Sequence, residues 1–187
     1  GKPVTVIRQG SLEFHEGELD GCPVVIVCCG IGKVNAALCA QILISAFGVR
    51  AIINTGSAGG LASGLAVLDM VVSTDAVQHD VDGTRFGYEP GRVPGLPSPF
   101  FAADPALVEA ALNAFSRVSA KPGNLAGKSR MSRGRVASGD VFVANDTLRK
   151  RIIDTFAPAC VEMEGAAVAQ ACFVNEIPFV ILRSISD

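Results

Sequence analysis

Four charged residues stand at the ends of apolar stretches, where they could bind a ligand or take part in a reaction. Glu162 and Glu164 lie two positions apart, and Arg183 and Asp187 follow a second apolar stretch. On a strand, residues two apart point to the same side, so we expect the two glutamates to face together. Burying a carboxylate without a partner is costly. Arg183 therefore either forms a structural ion pair, or the carboxylates bind a polyhydroxyl ligand such as a ribose through hydrogen bonds worth about 1.5–3 kcal/mol each.

Two glycine-containing segments could bring a ligand close to the main chain. Residues 30–33 (GIGK) fit neither the G-x-G-x-x-G nor the P-loop pattern, but a helix amino-terminus behind them would favour an anionic or polar group. Residues 54–60 (NTGSAGG) include more glycines than a plain turn requires and predict a binding loop. Phe142 follows a Ser-Gly-Asp turn and, considered alone, is interpreted as a core aromatic residue.

Helices and strands that would position these residues alternate along the chain. Alternating polarity over residues 12–19, followed by Asp20 and Gly21, predicts a hairpin that leads into a buried strand. Apolar spacing predicts further strands at 51–55, 70–73, 135–138, 160–163 and 178–185, and helices at 33–47, 104–118, 145–156 and 165–174. Residues 80–104 predict a long ordered loop. This order indicates one α/β domain over residues 1–187, a sandwich with a mostly parallel or mixed sheet.

Composition limits the classes of protein to which the chain can belong. Hydrophobic residues make up 49% and charged residues 18% of its 187 residues, which is typical of a packed domain. A net charge of −2 gives no electrostatic reason to bind nucleic acid or an anionic membrane, and no apolar stretch approaches the ~20 residues of a membrane span. No C-x-x-C motif occurs, and the cysteines are expected to be reduced, buried thiols: Cys22, Cys28, Cys29, Cys39, Cys160 and Cys172. We therefore expect a soluble, cytoplasmic protein without a metal site, a nucleic-acid partner or a membrane partner.

Taken in order, these segments resemble one protein family, the 5′-methylthioadenosine/S-adenosylhomocysteine nucleosidases. The resemblance extends over essentially the whole chain, and its matching segments are residues 30–33, 54–60, 138–140, 161–164 and 183–187, with 79–82, 86–89 and 94–95 in a long loop. The resemblance implies a nucleoside phosphorylase-like α/β/α sandwich of three layers with a central mixed sheet. It also implies a homodimer that acts on a small nucleoside, releases adenine and uses no cofactor.

The resemblance further implies a role for each matching residue. Asp187 would be catalytic by protonating N7 of the departing adenine. Glu164 would hold the ribose hydroxyls, with Met163 packed against the sugar. Phe142 would stack on the base, the main chain of Val143 would bond its edge, and Gly59 would line the site. The attacking water and its supporting network would lie among three further residues, Ser57, Glu162 and the catalytic Arg183.

The same resemblance implies a pocket for the 5′ substituent of the nucleoside. Ile31 would face this substituent. The partner subunit would close the pocket with Phe86, Tyr88 and Pro94. Gly83 stands where a larger apolar residue is expected, which changes the shape expected for the pocket.

The general base of the family is a glutamate just after the opening strand, and Glu13, Glu16 and Glu18 do not match it. The opening strand and the closing helix of the family are also expected to lie outside residues 1–187. We therefore expect the natural protein to be an enzyme and a polypeptide restricted to these residues to be severely impaired. Three alternatives stay open: a futalosine hydrolase, a nucleoside-binding module without catalysis, and a purine nucleoside phosphorylase, although no arginine cluster beside the glycine segments would bind phosphate.

Overall fold

The computed structural model describes residues 3–120 and 129–187, and the structural statements concern these ranges. They contain nine strands: β1 (Thr5–Gln9), β2 (Leu12–Leu19), β3 (Cys22–Ile26), β4 (Ile52–Gly60), β5 (Met70–Gln78), β6 (Phe100–Ala102), β7 (Met131–Ser138), β8 (Cys160–Glu162) and β9 (Phe179–Ile185). They also contain a 3-10 helix (Thr84–Phe86) and four α-helices: α1 (Lys33–Phe47), α2 (Pro105–Ser119), α3 (Asp146–Phe156) and α4 (Gly165–Val174).

The helices begin and end at residues whose side chains or backbone freedom suit those positions. The side chains of Asp104 and Asn145 accept hydrogen bonds from backbone amides in the first turns of α2 and α3. Gly48 ends α1 in the left-handed conformation, with φ 61°. The four predicted helices are confirmed within one or two residues at either end.

The first three strands form a small antiparallel sheet in the order β1-β2-β3. Asp20 and Gly21 connect β2 to β3 with φ angles of 48° and 82°, the positive values that a tight hairpin turn requires. The predicted hairpin is thus confirmed, whereas β1 was not predicted. The prediction that the hairpin leads into a buried strand is wrong, because no residue of β3 is buried. Phe14 of β2 is fully buried and stacks on Phe47 of α1 with 4.7 Å between ring centroids, which joins this sheet to the main core.

The main sheet has six strands in the order β6-β5-β7-β8-β4-β9, and β5 also pairs with β9. Five of its strands therefore form a closed ring, with β6 on the outside of β5. The pairs β4–β9, β5–β7 and β7–β8 are parallel, and the pairs β4–β8, β5–β6 and β5–β9 are antiparallel. The prediction of a mixed sheet is confirmed.

Apolar side chains from the sheet enter two separate clusters. Neighbours on one strand, such as Val136 and Ala137 of β7, belong to different clusters, as expected for residues that point to opposite faces. The larger cluster includes side chains of α1, α2 and α4, and the smaller includes Ile152 and Phe156 of α3. Helices thus cover both faces, which confirms the three-layer α/β/α prediction.

The glycine-rich segment 54–60 is not a loop, and that prediction is wrong. It lies inside β4, which pairs with β9 as far as Ala58 and with β8 at its last two residues. The missing side chains leave room for neighbouring strands. A Cβ at Gly56 would lie 3.2 Å from the Arg183 guanidinium, and one at Gly60 would lie 3.2 Å from Ile185.

Three other predictions need correction. Residues 80–104 are not wholly loop, because they include the 3-10 helix and β6. β5 and β7 extend beyond the predicted 70–73 and 135–138, and in the added part of β5 the side chain of Asp75 pairs with Arg135 of β7, with 2.5 Å between Arg135 Nε and Asp75 Oδ1. Three cysteines are buried, but Cys22 and Cys28 are exposed.

Among the described residues, no helix is long and apolar enough to cross a membrane.

Candidate active site

The carboxylate at the end of β8 is enclosed and fully bonded. Glu162 is 7% exposed and Arg183 is 1% exposed. Arg183 Nε donates to Glu162 Oε2 at 3.1 Å, and Arg183 Nη2 donates to the same oxygen. Ser138 Oγ and the amides of Glu164 and Gly165 complete the set of donors. The structural ion pair is therefore the correct interpretation of Glu162.

Glu164 has a different environment from Glu162. β8 ends at Glu162, and Glu164 is the residue before α4, with φ −133° and ψ −44°. The prediction that both glutamates lie on one strand face is therefore wrong. Glu164 is half-buried, and its Oε1 accepts from Gly32 N at 2.8 Å. It forms no ion pair with the described residues, so its second oxygen can accept from a ligand.

Asp187 lies just beyond β9 and is exposed. Its main-chain oxygen accepts from Gly60 N at 2.8 Å, which fixes the backbone beside the end of β4. Ser186 Oγ donates to Asp187 Oδ1 at 2.7 Å. A Cβ at Gly59 would lie 3.4 Å from Asp187 Oδ2, so the absence of a side chain at Gly59 keeps the space beside the carboxylate open.

A cavity of about 390 Å³ opens beside Asp187. This volume is within the range of small-molecule sites, about 300–1,000 Å³. Four residues to which the resemblance gave a role in the site line it together: Gly59, Phe142, Val143 and Asp187. Phe142 is 76% exposed, so it is not the core aromatic residue that its local sequence suggested. An acid and an accessible aromatic face in one cavity suit the binding and protonation of a planar base.

Comparison with known proteins agrees with this geometry. Residues 2–187 match the model of the phosphorylase superfamily. The chain is 48% identical to the 5′-methylthioadenosine/S-adenosylhomocysteine nucleosidase of Treponema pallidum (strain Nichols), across 96% of this chain and 72% of that protein. The chain belongs to this nucleosidase family.

Two solved structures of nucleosidases superpose closely on the fold, each with a TM-score of 0.90. The enzyme of Colwellia psychrerythraea 34H, in complex with adenine, is 41% identical and is matched over 100% of this chain and 74% of its own. The enzyme of Neisseria meningitidis, in complex with methylthio-immucillin-A, is 43% identical and is matched over 98% of this chain and 76% of its own. The family therefore includes members with this fold that were solved in complex with adenine and with methylthio-immucillin-A.

The other residues suggested by the nucleosidase resemblance lie outside the cavity. Ser57 is exposed on β4, and Met163 is half-buried between the two glutamates. Ile31 is 75% exposed beside the start of α1. The three residues assigned to the 5′ pocket lie on a separate segment around the 3-10 helix: Phe86, Tyr88 and Pro94. Their proposed roles stay predictions.

Two sets of residues at this site were not assigned a role from the sequence. Leu61, Val161 and Arg149 line the cavity with Asp187. Lys33 at the start of α1 forms a hydrogen-bonded network with Asp80 and Asp140, which lie just beyond the ends of β5 and β7. The signal for the network was present, because each of its members belongs to a segment that resembles the family.

The electrostatics of the network follow from its hydrogen bonds. Burial alone would raise the pKa of Asp80, but hydrogen bonds from Lys33 Nζ and Asp140 N lower it below its ordinary value. The carboxylate is therefore charged at neutral pH and pairs with Lys33 at 2.7 Å. In residues 3–120 and 129–187, no cluster of His, Cys, Asp and Glu is arranged to hold a metal ion.

Proposed function

We propose that the natural protein containing this chain hydrolyses the N-glycosidic bond of 5′-methylthioadenosine, S-adenosylhomocysteine and 5′-deoxyadenosine and releases adenine. The observation that carries the proposal is the shared cavity of Asp187, Phe142 and Val143. Membership of the nucleosidase family supports the same reaction. We further propose that the reaction takes place in the cytoplasm.

Asp187 is the proposed general acid. Adenine is a poor leaving group until it is protonated, and a positioned acid contributes about 10²–10⁴-fold to such a step. Phe142 offers an exposed ring on which the base can stack, and the main chain of Val143 lies beside it in the cavity. Base binding and protonation would therefore occur within one small space.

Glu164 is the proposed ribose ligand. Its Oε1 is oriented by Gly32 N, and its other oxygen is available to the 2′ and 3′ hydroxyls. As the bond to adenine breaks, the sugar gains positive charge, which a nearby carboxylate stabilises. Met163, the half-buried residue before Glu164, is the proposed packing partner of the sugar, as the family resemblance implies.

Glu162 and Arg183 are the proposed supporting network for the residues around the attacking water. Both are buried, and Glu162 binds the amide of Glu164 at 3.1 Å. Ser57 is exposed and could contact the water directly. For the 5′ substituent, we propose that Ile31 lies next to a pocket that a second copy of the chain closes with three residues: Phe86, Tyr88 and Pro94.

The start of α1 favours hydrolysis over reaction with phosphate at that helix end. Its amides at Gly32 and Lys33 already bind carboxylates of the chain itself, those of Glu164 and Asp140. An incoming phosphate would have to displace these carboxylates to use the helix amino-terminus.

The decisive experiment is adenine release by the natural protein from a panel of nucleosides, with and without phosphate. We expect release from 5′-methylthioadenosine and S-adenosylhomocysteine at a rate that does not depend on phosphate. A strict requirement for phosphate would show a phosphorylase. Cleavage of futalosine with no release of adenine would show the other hydrolase.

A polypeptide limited to the 187 residues provides a second comparison. The three glutamates of β2 do not line the cavity: Glu13, Glu16 and Glu18. None of the three is therefore proposed as the general base, and slower turnover by this polypeptide than by the natural protein stays a prediction. Full turnover by the shorter polypeptide would contradict that expectation.

A further inference from the structure

Two adjacent amides at the start of α1 donate hydrogen bonds to two different parts of the proposed site. Gly32 N donates to Glu164 Oε1 at 2.8 Å, and Lys33 N donates to Asp140 Oδ1 at 2.7 Å. Amides in the first turn of a helix have no partner within the helix, and they lie at the positive end of its dipole. The start of α1 therefore connects the proposed ribose carboxylate to the loop that carries Phe142.

Asp140 is held in turn by a second carboxylate. Its amide N donates to Asp80 Oδ2 at 2.9 Å, and Lys33 Nζ donates to Asp80 Oδ1 at 2.7 Å. Lys33 Nζ also donates to Gln78 Oε1 at 2.9 Å. The bonds among Lys33, Asp80 and Asp140 form a closed circuit, so a displacement of one member is transmitted to the other two.

The glycines at positions 32 and 139 lie so close to the circuit and its neighbours that a side chain at either position would be in tight contact. Gly32 has φ 98°, and a Cβ there would lie 3.2 Å from Asp140 Oδ1. A Cβ at Gly139 would overlap the imidazole of His79, which is 4% exposed. Close packing thus holds Asp140 in one position, while Phe142, two residues further on, is 76% exposed.

We propose that Asp140 is a positioning residue that couples the stacking face of Phe142 to the ribose-binding carboxylate of Glu164. This inference rests on the proposed function. Asp140 does not line the cavity, so it acts through its bonds to α1 and Asp80 and not by contact with the substrate. Its side chain is exposed, so replacing it leaves the core unchanged.

Two substitutions at Asp140 separate the loss of the hydrogen bond from the loss of charge. Asp140→Ala removes the acceptor of Lys33 N, whereas Asp140→Asn keeps an oxygen there. We expect Asp140→Ala to raise the KM for 5′-methylthioadenosine and the Kd for adenine about tenfold, and Asp140→Asn to keep both within about threefold of the unsubstituted protein. Asp154→Asn, in an exposed ion pair with Lys150, is the matched control and should change neither constant.

A double-mutant cycle with Phe142→Ala distinguishes positioning from a general loss of structure. If Asp140 acts through Phe142, then adding Asp140→Ala to Phe142→Ala should change the adenine Kd by less than about threefold. The inference would be overturned if the adenine Kd of the double variant rose by the product of the two single-variant increases. An unchanged adenine Kd in Asp140→Ala would overturn it as well. Adenine binding without adenine release by the unsubstituted protein would contradict the proposed function alone, and no adenine binding would contradict both.

Discussion

The ends of β8 and β9 each carry a carboxylate, yet the two have opposite surroundings. Glu162 at the end of β8 is 7% exposed and accepts from Arg183, a serine hydroxyl and two backbone amides. Asp187, just beyond β9, is exposed, and among the described side chains it accepts from Ser186 Oγ alone. Donors of the protein thus occupy the carboxylate oxygens of Glu162, whereas most acceptor positions of the Asp187 carboxylate stay available to a ligand.

This difference indicates which of the two groups can take part in a reaction. Desolvation of a buried pair offsets much of its attraction, but removal of one partner leaves a costly unpaired charge. Glu162 therefore contributes to structure through its donors. Asp187 lines the cavity and is exposed, so a ligand can reach its carboxylate. Four substitutions test the contrast.

The largest effect is expected at Asp187. Asp187→Asn keeps the size of the side chain but removes the proposed acid, so kcat for adenine release should fall by about 10²–10⁴-fold. Adenine affinity and the melting temperature should be nearly unchanged. Steady-state kinetics, calorimetry and thermal unfolding on one sample provide the measurement. Unchanged turnover would remove Asp187 from the proposed role.

The second largest effect is expected on stability. Arg183→Met leaves Glu162 buried without its cation, and the free energy of unfolding should fall by about 3–5 kcal/mol in urea titrations. Arg8→Met breaks an exposed ion pair with Glu13 and is the control, with an expected loss of about 0–1 kcal/mol. Equal losses for the two variants would show that burial does not distinguish these pairs.

A smaller effect is expected from the single hydroxyl that bonds Asp187. Ser186→Ala removes a hydrogen bond worth about 1 kcal/mol, so kcat should fall by about three- to tenfold with little change in melting temperature. The measurement is the same adenine-release assay. A hundredfold loss would mean that Asp187 depends on its protein donor as strongly as Glu162 does.

The smallest effect is expected at His79, which is buried like Glu162 but has no described hydrogen-bond partner at Nε2. Burial lowers the pKa of His79 below 6.5; Asp80 opposes this shift and Lys33 adds to it. Since the unfolded chain then binds the proton first, this contribution to stability is complete above pH 6.5 and is lost as the pH falls through the pKa of the folded state.

His79→Gln should reduce the loss of stability that occurs as the pH falls below 6.5. Melting temperatures of the two proteins, measured from neutral to mildly acidic pH, provide the comparison. Parallel curves would show that His79 does not titrate in this way. Replacement of the exposed His15, which lies on β2, is the matched control and should leave the curve unchanged.

Local signals predicted the helices well, because their ends depend on nearby residues such as Asn145 and Gly48. The pairing of β4 with β9 was not predictable in this way, since it joins residues more than a hundred positions apart and turns a glycine-rich segment into a strand. The full length of β5 was missed for the same reason, since Asp75 looks solvent-facing in the sequence and its partner Arg135 lies 60 positions away on β7.

The candidate site shows a similar division. Asp187 and Phe142 were assigned to one pocket through the family resemblance, and they do line one cavity. Spacing alone would have placed Phe142 in the core. Arg149 was missed because its position in the cavity depends on how α3 packs against the sheet, which no local pattern encodes.

β9 pairs with β4 on one side and β5 on the other, so it is a strand through which the ring closes. A transient opening at β9 would carry Asp187 away from Gly59 and expose Arg183 to water in one event. The population of molecules unable to react would then equal the population with this strand detached. Deuterium uptake by the β9 amides should therefore rise in step with loss of adenine release as denaturant is added.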